Sequence, residues 1–465
     1  MVADLKSANV VLVGTDNLAQ TIGLVLAQCV SDLKLEVLTV VDSTKVKAEP
    51  SILPLEKNTD NPAKAKAVVD ALRKVNERIR EYDPAVPDAE FFYINEQNIC
   101  DASDSIKVPD MIVDTKHAQK SKAATAKFAK EHNIPAIYAV AGHEGRFSFE
   151  SFDVSRFEGQ KQNPVVSGVI AGTLAEQIAN QIYGRRVVRD FSYALPFSAE
   201  KMSALFGKTV ALVGVGALGN VTGPELALSG INLKFADDDS VEKKNYTKQY
   251  MYCFGDCDGK KKSAAFEASL KNMLAASGLK NSVLGMAESV ESCQKLESIV
   301  EKADALALTV DNDFTRCIAS DFSIGKIPAT ETAIDQVGGR VAHYHPDKTI
   351  CLYHMMGYIK GTRQETSQPC GNVVIPARIV GSLAAAEILA ALAGEPLCGA
   401  YLQYASGDIT AIGVANHCEH AANVNYNLIK SGGKNIPASV NVRGFKFGDP
   451  MGTCEYQKRP HTLLH

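Results

Sequence analysis

The chain has 465 residues, of which 46% are hydrophobic and 22% charged, with a formal net charge of −4. That is an ordinary globular balance, long enough for roughly two to four domains, and the absence of a dense basic block argues against nucleic acid as the main partner. Eleven cysteines, an odd number with only Cys29 and Cys100 in the first 250 positions, argue against a secreted disulfide framework and for a reducing, cytoplasmic setting.

In chain order, the opening MVADLKSANVVLVG carries no basic stretch followed by an apolar one and a cleavage site, so no export signal is expected. An apolar β-type run over 9–13 passes into Gly14-Thr-Asp16-Asn-Leu18-Ala19. A strand ending at Asp42, a lysine-opened helix over 63–80, an apolar strand over 111–113, a further helix and an Ile-Pro-Ala segment at 134–136 come next. A helix then carries Ile170-Ala-Gly172-Thr-Leu-Ala175. After a joining segment, 185–207, with Arg185, Arg186 and Arg189, the order begins again. A strand over 209–213 enters Gly214-Val-Gly216-Ala-Leu-Gly219, and a second strand ends in Asp237-Asp-Asp239. A helix opened by lysines at 260–262, an apolar strand over 305–310, an Ile-Pro-Ala segment at 327–329 and Ile379-Val-Gly381-Ser-Leu-Ala384 complete the repeat. The matched order reads as a tandem duplication of one α/β unit. The apolar stretch at 379–394 contains Glu387 and is expected to be a packed core helix, too short to span a bilayer.

The two copies differ at the glycine turn. In the second, a strand, three glycines and a helix start precede an acid at the spacing of a ribose-binding residue. Gly214 is expected to permit the turn, Gly216 to let the backbone approach a phosphate, and Gly219 to let helix and strand pack closely. In the first, Asp16 and Ala19 stand where the second has Gly216 and Gly219. A carboxylate there adds bulk and like charge, so the first crevice is expected to bind nucleotide poorly and to be structural. The alternative is that it has changed ligand.

The glycine turn and Asp237 alone would suit NAD. Downstream stand Asn245-x-x-Lys248-Gln249 and then Gly259-Lys260-x-Lys262, a polar and cationic set suited to a triphosphate and a departing pyrophosphate. On the glycine turn, the Asp-x-Asp, the Asn-x-x-Lys-Gln and the Gly-x-x-Lys, the chain resembles the ThiF/MoeB superfamily of ubiquitin-activating-enzyme-like adenylating enzymes. Lys248 stands where that pattern has arginine, so a bidentate phosphate contact becomes a point charge.

The resemblance implies an α/β fold of two Rossmann-like repeats with mostly parallel sheets, forming a pseudo-dimer within one chain. The first repeat (1–184) would be degenerate, 185–207 a linker, 208–422 the active repeat and 423–465 a loop-rich extension. It implies ATP- and Mg²⁺-dependent adenylation of a substrate carboxylate, the C-terminus of a ubiquitin-like or sulfur-carrier protein or a peptide. Lys262, Lys248, Gln249 and Asn245 would serve the phosphates, Asp237 the ribose, and Asp239 and Asp311 the metal, which hard oxygen ligands suit. Asp311, in Asp311-Asn312-Asp313-Phe-Thr-Arg316, would otherwise cap the next helix, and Arg316 would steady the loop or the adenine side. The family's cross-protomer arginine has no counterpart ahead of Gly14; either homodimerisation or another cation supplies it.

By the same resemblance, Cys370 lies where some members carry an acyl-accepting cysteine, with an inert loop thiol as the alternative. Cys351, His354, His417, Cys418 and His420 lie where many members bind a structural zinc, with ordinary packing as the alternative. No membrane or nucleic-acid partner is expected. Two other classes stay open: a NAD(P)-dependent oxidoreductase, which leaves the 245–262 cluster unexplained, and a non-catalytic partner-binding scaffold.

Overall fold

A computed structural model describes residues 8–412, except 48–49, 56–62, 103–104, 107, 184, 291, 324, 335–337, 347–351, 353–372, 396–400 and 406–407. Apolar β-branched runs alternate with helical segments throughout, the pattern of parallel sheets covered on both faces. The first half contains β1 (Ala8–Val13), α1 (Asn17–Gln28), α2 (Val30–Leu33), β2 (Leu35–Val41), α3 (Lys64–Tyr82), β3 (Glu90–Ile94), β4 (Met111–Asp114), α4 (Gln119–His132), β5 (Ala136–Ala141), β6 (Glu144–Ser148), α5 (Pro164–Ile182) and β7 (Asp190–Ala194). A short α6 (Ala199–Ala204) leads to the second half. That half contains β8 (Thr209–Val213), α7 (Gly219–Leu228), β9 (Asn232–Ala236), α8 (Lys262–Ser277), β10 (Val283–Met286), α9 (Cys293–Val300), β11 (Ala305–Leu308), α10 (Asp313–Ser323), β12 (Ala329–Ile334), β13 (Gly338–Tyr344), α11 (Val374–Leu392), β14 (Tyr401–Ala405) and β15 (Asp408–Ile412).

The first sheet has the order β3-β2-β1-β4-β5-β6-β7 and the second β10-β9-β8-β11-β12-β13-β14-β15. In each, five parallel strands come first and the remainder are antiparallel. The duplication therefore extends to strand order. It extends to register as well: Val13 pairs with Asp114 in the first sheet and Val213 with Leu308 in the second.

The joining segment departs from expectation. Rather than a linker, it contributes β7, which pairs antiparallel with β6 and closes the edge of the first sheet. The alternating burial of Asp190–Ala194 is the period-2 pattern of a half-covered edge strand. Arg185 lies over the Tyr183 ring, 5.3 Å from its centroid.

The halves meet along α5, α7 and α11. The two glycines that align in the duplication both sit on this seam. A Cβ at Gly172 would lie 2.7 Å from Ile379 Cγ1, and one at Gly381 would lie 2.7 Å from Val221 Cβ. Small residues are what allow helices this close. The apolar stretch near the C-terminus forms the 19-residue α11, longer than read from the sequence. It is the one helix among the described residues long and apolar enough to cross a membrane, and 94% of its apolar window is buried inside the protein.

A buried polar cluster pins the same seam. Arg378 Nη1 lies 3.2 Å from Glu225 Oε1, each side chain 1% exposed, and Ser382 Oγ donates to the same oxygen at 2.8 Å. Burial pushes the Glu225 carboxyl up to about 8, against the opposing pull of Arg378 and Ser382.

Candidate functional site

The crevice at the carboxyl ends of β8, β9 and β11 is where an open α/β sheet offers a ligand site. Gly214 has φ +89°, a backbone region that favours glycine, and a Cβ there would lie 3.0 Å from Thr309 O. At Gly219 a Cβ would run into Gly214 O, whereas at Gly216 it would meet nothing within 4 Å. The turn is thus closed on the strand side and open on the crevice side. Helix α7 starts without a side-chain cap. Among the described residues, the N–H groups of residues 216–219 donate to nothing. A helix N-terminus with unpaired amides is an anion cradle.

Side chains that the glycine pattern does not reveal brace this turn. Asn220, fully buried, donates through Nδ2 to Val215 O at 2.7 Å and accepts from Met251 N at 3.1 Å. Tyr252 donates its hydroxyl to Val215 O at 2.9 Å. Asparagine in a first helical turn and tyrosines in a short apolar run were the only local signals for them.

Asp237, at the end of β9, accepts from Val215 N at 2.8 Å and Asp239 N at 3.0 Å. Burial raises its carboxyl, offset by those N–H donors and by Lys262. Lys262 opens α8, and its ammonium lies 2.7 Å from Asp239 Oδ2, with Lys262 11% and Asp239 70% exposed. One carboxylate oxygen from each of Asp237, Asp238 and Asp239 lies within 4.8 Å of the other two, a donor type that suits a hard divalent cation.

Asn245 is buried and takes part in a capping box with Glu242; its Oδ1 accepts from Glu242 N at 2.8 Å. The side chain therefore holds the loop that carries Lys248 and Gln249. Lys248 is half-buried, and Gln249 is buried with its Oε1 unpartnered among the described residues. Beyond β11, Asn312 rather than Asp311 caps α10, accepting from Thr315 N at 2.8 Å. Asp311 is exposed. Arg316 is buried and turned into the fold: Nε lies 2.9 Å from Glu331 Oε1, and Nη2 donates to Val310 O at 2.7 Å and Thr332 O at 3.2 Å.

One arginine of the first half reaches this loop. Arg78, on α3, donates to Gly255 O at 3.1 Å and lies 5.7 Å from the Tyr246 ring centroid. Cys253 and Cys257, on the same loop, are buried, and burial pushes both thiols up. Cys351, His354, Cys370, His417, Cys418 and His420 lie outside the described residues, as does 423–465.

The model of the ThiF family matches residues 191–426, about half of the sequence and all of the crevice just described. The chain belongs to the ThiF family. Membership points to a carboxylate-adenylating enzyme at the family level. No curated protein matches the ThiF-family chain. Among solved structures, the crystal structure of E. coli MccB with ATP matches at 20% identity, over 47% of this chain and 67% of that one, with a TM-score of 0.40.

Proposed function

We propose that the second half adenylates a substrate carboxylate. The observation that carries this reading is the open anion cradle at 216–219, set beside Asp237 and a lysine at the head of the next helix. A carboxylate oxygen attacks the α-phosphorus of ATP, the bond from that phosphorus to the bridging oxygen breaks, and pyrophosphate leaves with the electron pair. No protein nucleophile is required; orientation and charge neutralisation lower the barrier.

In this reading the amides of Gly216 and Gly219 and the ammonium groups of Lys262 and Lys248 neutralise phosphate oxygens. Gln249 orients them, Asn245 fixes the loop, and Asp237 accepts ribose hydroxyls. Asp239 and Asp311 would hold Mg²⁺, which would supply charge neutralisation on the triphosphate. Lys262, 2.7 Å from Asp239 Oδ2, stands at the head of α8 where its ammonium would meet a phosphate oxygen. The first half is structural. The carboxylate belongs to a ubiquitin-like or sulfur-carrier protein or to a peptide, and acyl transfer to Cys370 is an optional second step. A reducing, cytoplasmic setting belongs to this reading, with Cys29, Cys100, Cys253 and Cys257 as free thiols.

Exchange of labelled pyrophosphate into ATP tests the reading. Carboxylate-dependent exchange that EDTA abolishes and Mg²⁺ restores is expected. Background exchange with carrier-protein and peptide C-termini, together with unchanged ATP affinity in Lys262→Ala, would sink it.

A further inference from the structure

The first crevice keeps most of the second crevice's scaffold. Thr115 N donates to Val13 O, and Thr309 N to Val213 O, each at 2.9 Å. Lys64 heads α3 as Lys262 heads α8, and their backbone N–H groups donate to Thr44 O and Asp239 O, each at 2.8 Å. Asp42 ends its strand where Asp237 ends its own. Gln20 Nε2 donates to Thr15 O at 3.0 Å, the contact that Asn220 makes to Val215 O. Gly14, like Gly214, has positive φ.

What differs is the occupant of the helix N-terminus. In the first half Asp16 Oδ1 accepts from Ala19 N at 2.8 Å, and Gln162 Oε1 accepts from Leu18 N at 3.1 Å. The Gln162 amide nitrogen lies 3.4 Å from His117 Nε2, and His117 comes directly after Lys116 at the end of β4. Around the Asp16 carboxylate stand His117, Lys64 and Lys122, whose fields all act on it or feel it, although burial still raises its carboxyl overall. A negative group on helix amides with lysines nearby is how a bound phosphate would be surrounded.

We infer that the first crevice is a latent polyphosphate site held shut by two of its own side chains, Asp16 as an internal anion and Gln162 as a neutral acceptor on the neighbouring amide. The inference uses the functional reading only in taking the second crevice as the open reference. Because both occupants are tethered, they compete with a diffusing nucleotide at an effective concentration on the order of millimolar. The Asp16 charge also repels an incoming phosphate. One chain therefore presents one nucleotide site although it contains two turns.

The test counts sites on the full chain by equilibrium dialysis with labelled ATP and, separately, inorganic pyrophosphate. Wild type is expected to bind one ATP. The double variant Asp16→Gly with Gln162→Ala is expected to gain a second site, which Lys64→Ala added to it removes. Because Asp16 also caps α1, Asp16→Ser with Gln162→Ala is the companion: the hydroxyl can still cap the helix while the charge is gone, and a weaker second site is expected. A double variant that melts like wild type yet binds no additional ATP or pyrophosphate overturns the inference. So does a second site already present in wild type, or a gained site that survives Lys64→Ala. If wild type binds no ATP, the functional reading fails. A gain from none to one in the variants would still support the latent site.

Discussion

The two crevices share a strand order, a register, a strand-ending aspartate, a lysine at the head of the following helix and an amide that braces the turn. They differ in whether the helix amides are open, as at residues 216–219, or filled by Asp16 and Gln162. A scaffold this closely duplicated folds the same way in both copies because its apolar core pattern and the positive-φ glycine that opens each turn, Gly14 and Gly214, are kept. The inferred difference in binding rests on a few polar atoms at one helix end: the first copy keeps the packing and fills the cradle with its own side chains.

The sharpest way to break the comparison is to remove the equivalent lysines. Lys262→Ala is expected to lower ATP–pyrophosphate exchange by about a hundredfold or more, the scale of losing one charge-stabilising group in a site. Lys64→Ala should leave exchange unchanged. Equal losses in both would mean the crevices are not functionally distinct.

Where the halves are equivalent, substitutions should cost alike. Gly172→Leu and Gly381→Leu each force a side chain into the helix seam, against Ile379 and Val221 respectively. Each is expected to destabilise by about 3 kcal/mol in denaturant unfolding. If only one does so, the seam is less symmetric than the duplication implies.

A finer separation comes from the turn-bracing amides. Asn220→Ala leaves Met251 N–H without its acceptor and should cost about 2 kcal/mol, together with ATP affinity. Gln20→Ala strips Leu53 N–H of its acceptor and should cost a similar amount in stability with no change in ATP affinity.

The halves should differ in pH dependence as well. Glu225 faces Arg378 across the seam; at the matching place in α1 stands buried Val25. Because the folded carboxyl is raised from 4.5 to about 8, its contribution to stability is full below pH 4.5 and is lost as pH climbs toward about 8. Denaturant midpoints measured across that window should fall, and Glu225→Gln should flatten the fall.

Much of the candidate site was legible because it is written in short-range pattern. The strand over 209–213 coincides with β8, and the second-half glycines and Asp237 lie together at one crevice mouth. Lys262 heads its helix there as well. The polar residues after Asp237 were harder to place, since spacing cannot tell a side chain aimed at ligand from one that holds a loop. Asn245 closes a capping box, Asn312 rather than Asp311 caps α10, and Arg316 is turned to buried Glu331. The joining segment, expected to be a linker, carries β7, whose partner strand β6 pairs Ser148 with Asp190.

By itself the sequence determined the duplication, the α/β class, the family and which copy keeps three glycines, because each rests on residue type at fixed local spacing. Only the tertiary structure decided what fills each crevice. Gln162 reaches Leu18 across 144 positions, and Arg78 crosses from the first half to Gly255 across 177. Contacts of that length are set by how helices and strands pack, and no local pattern encodes them.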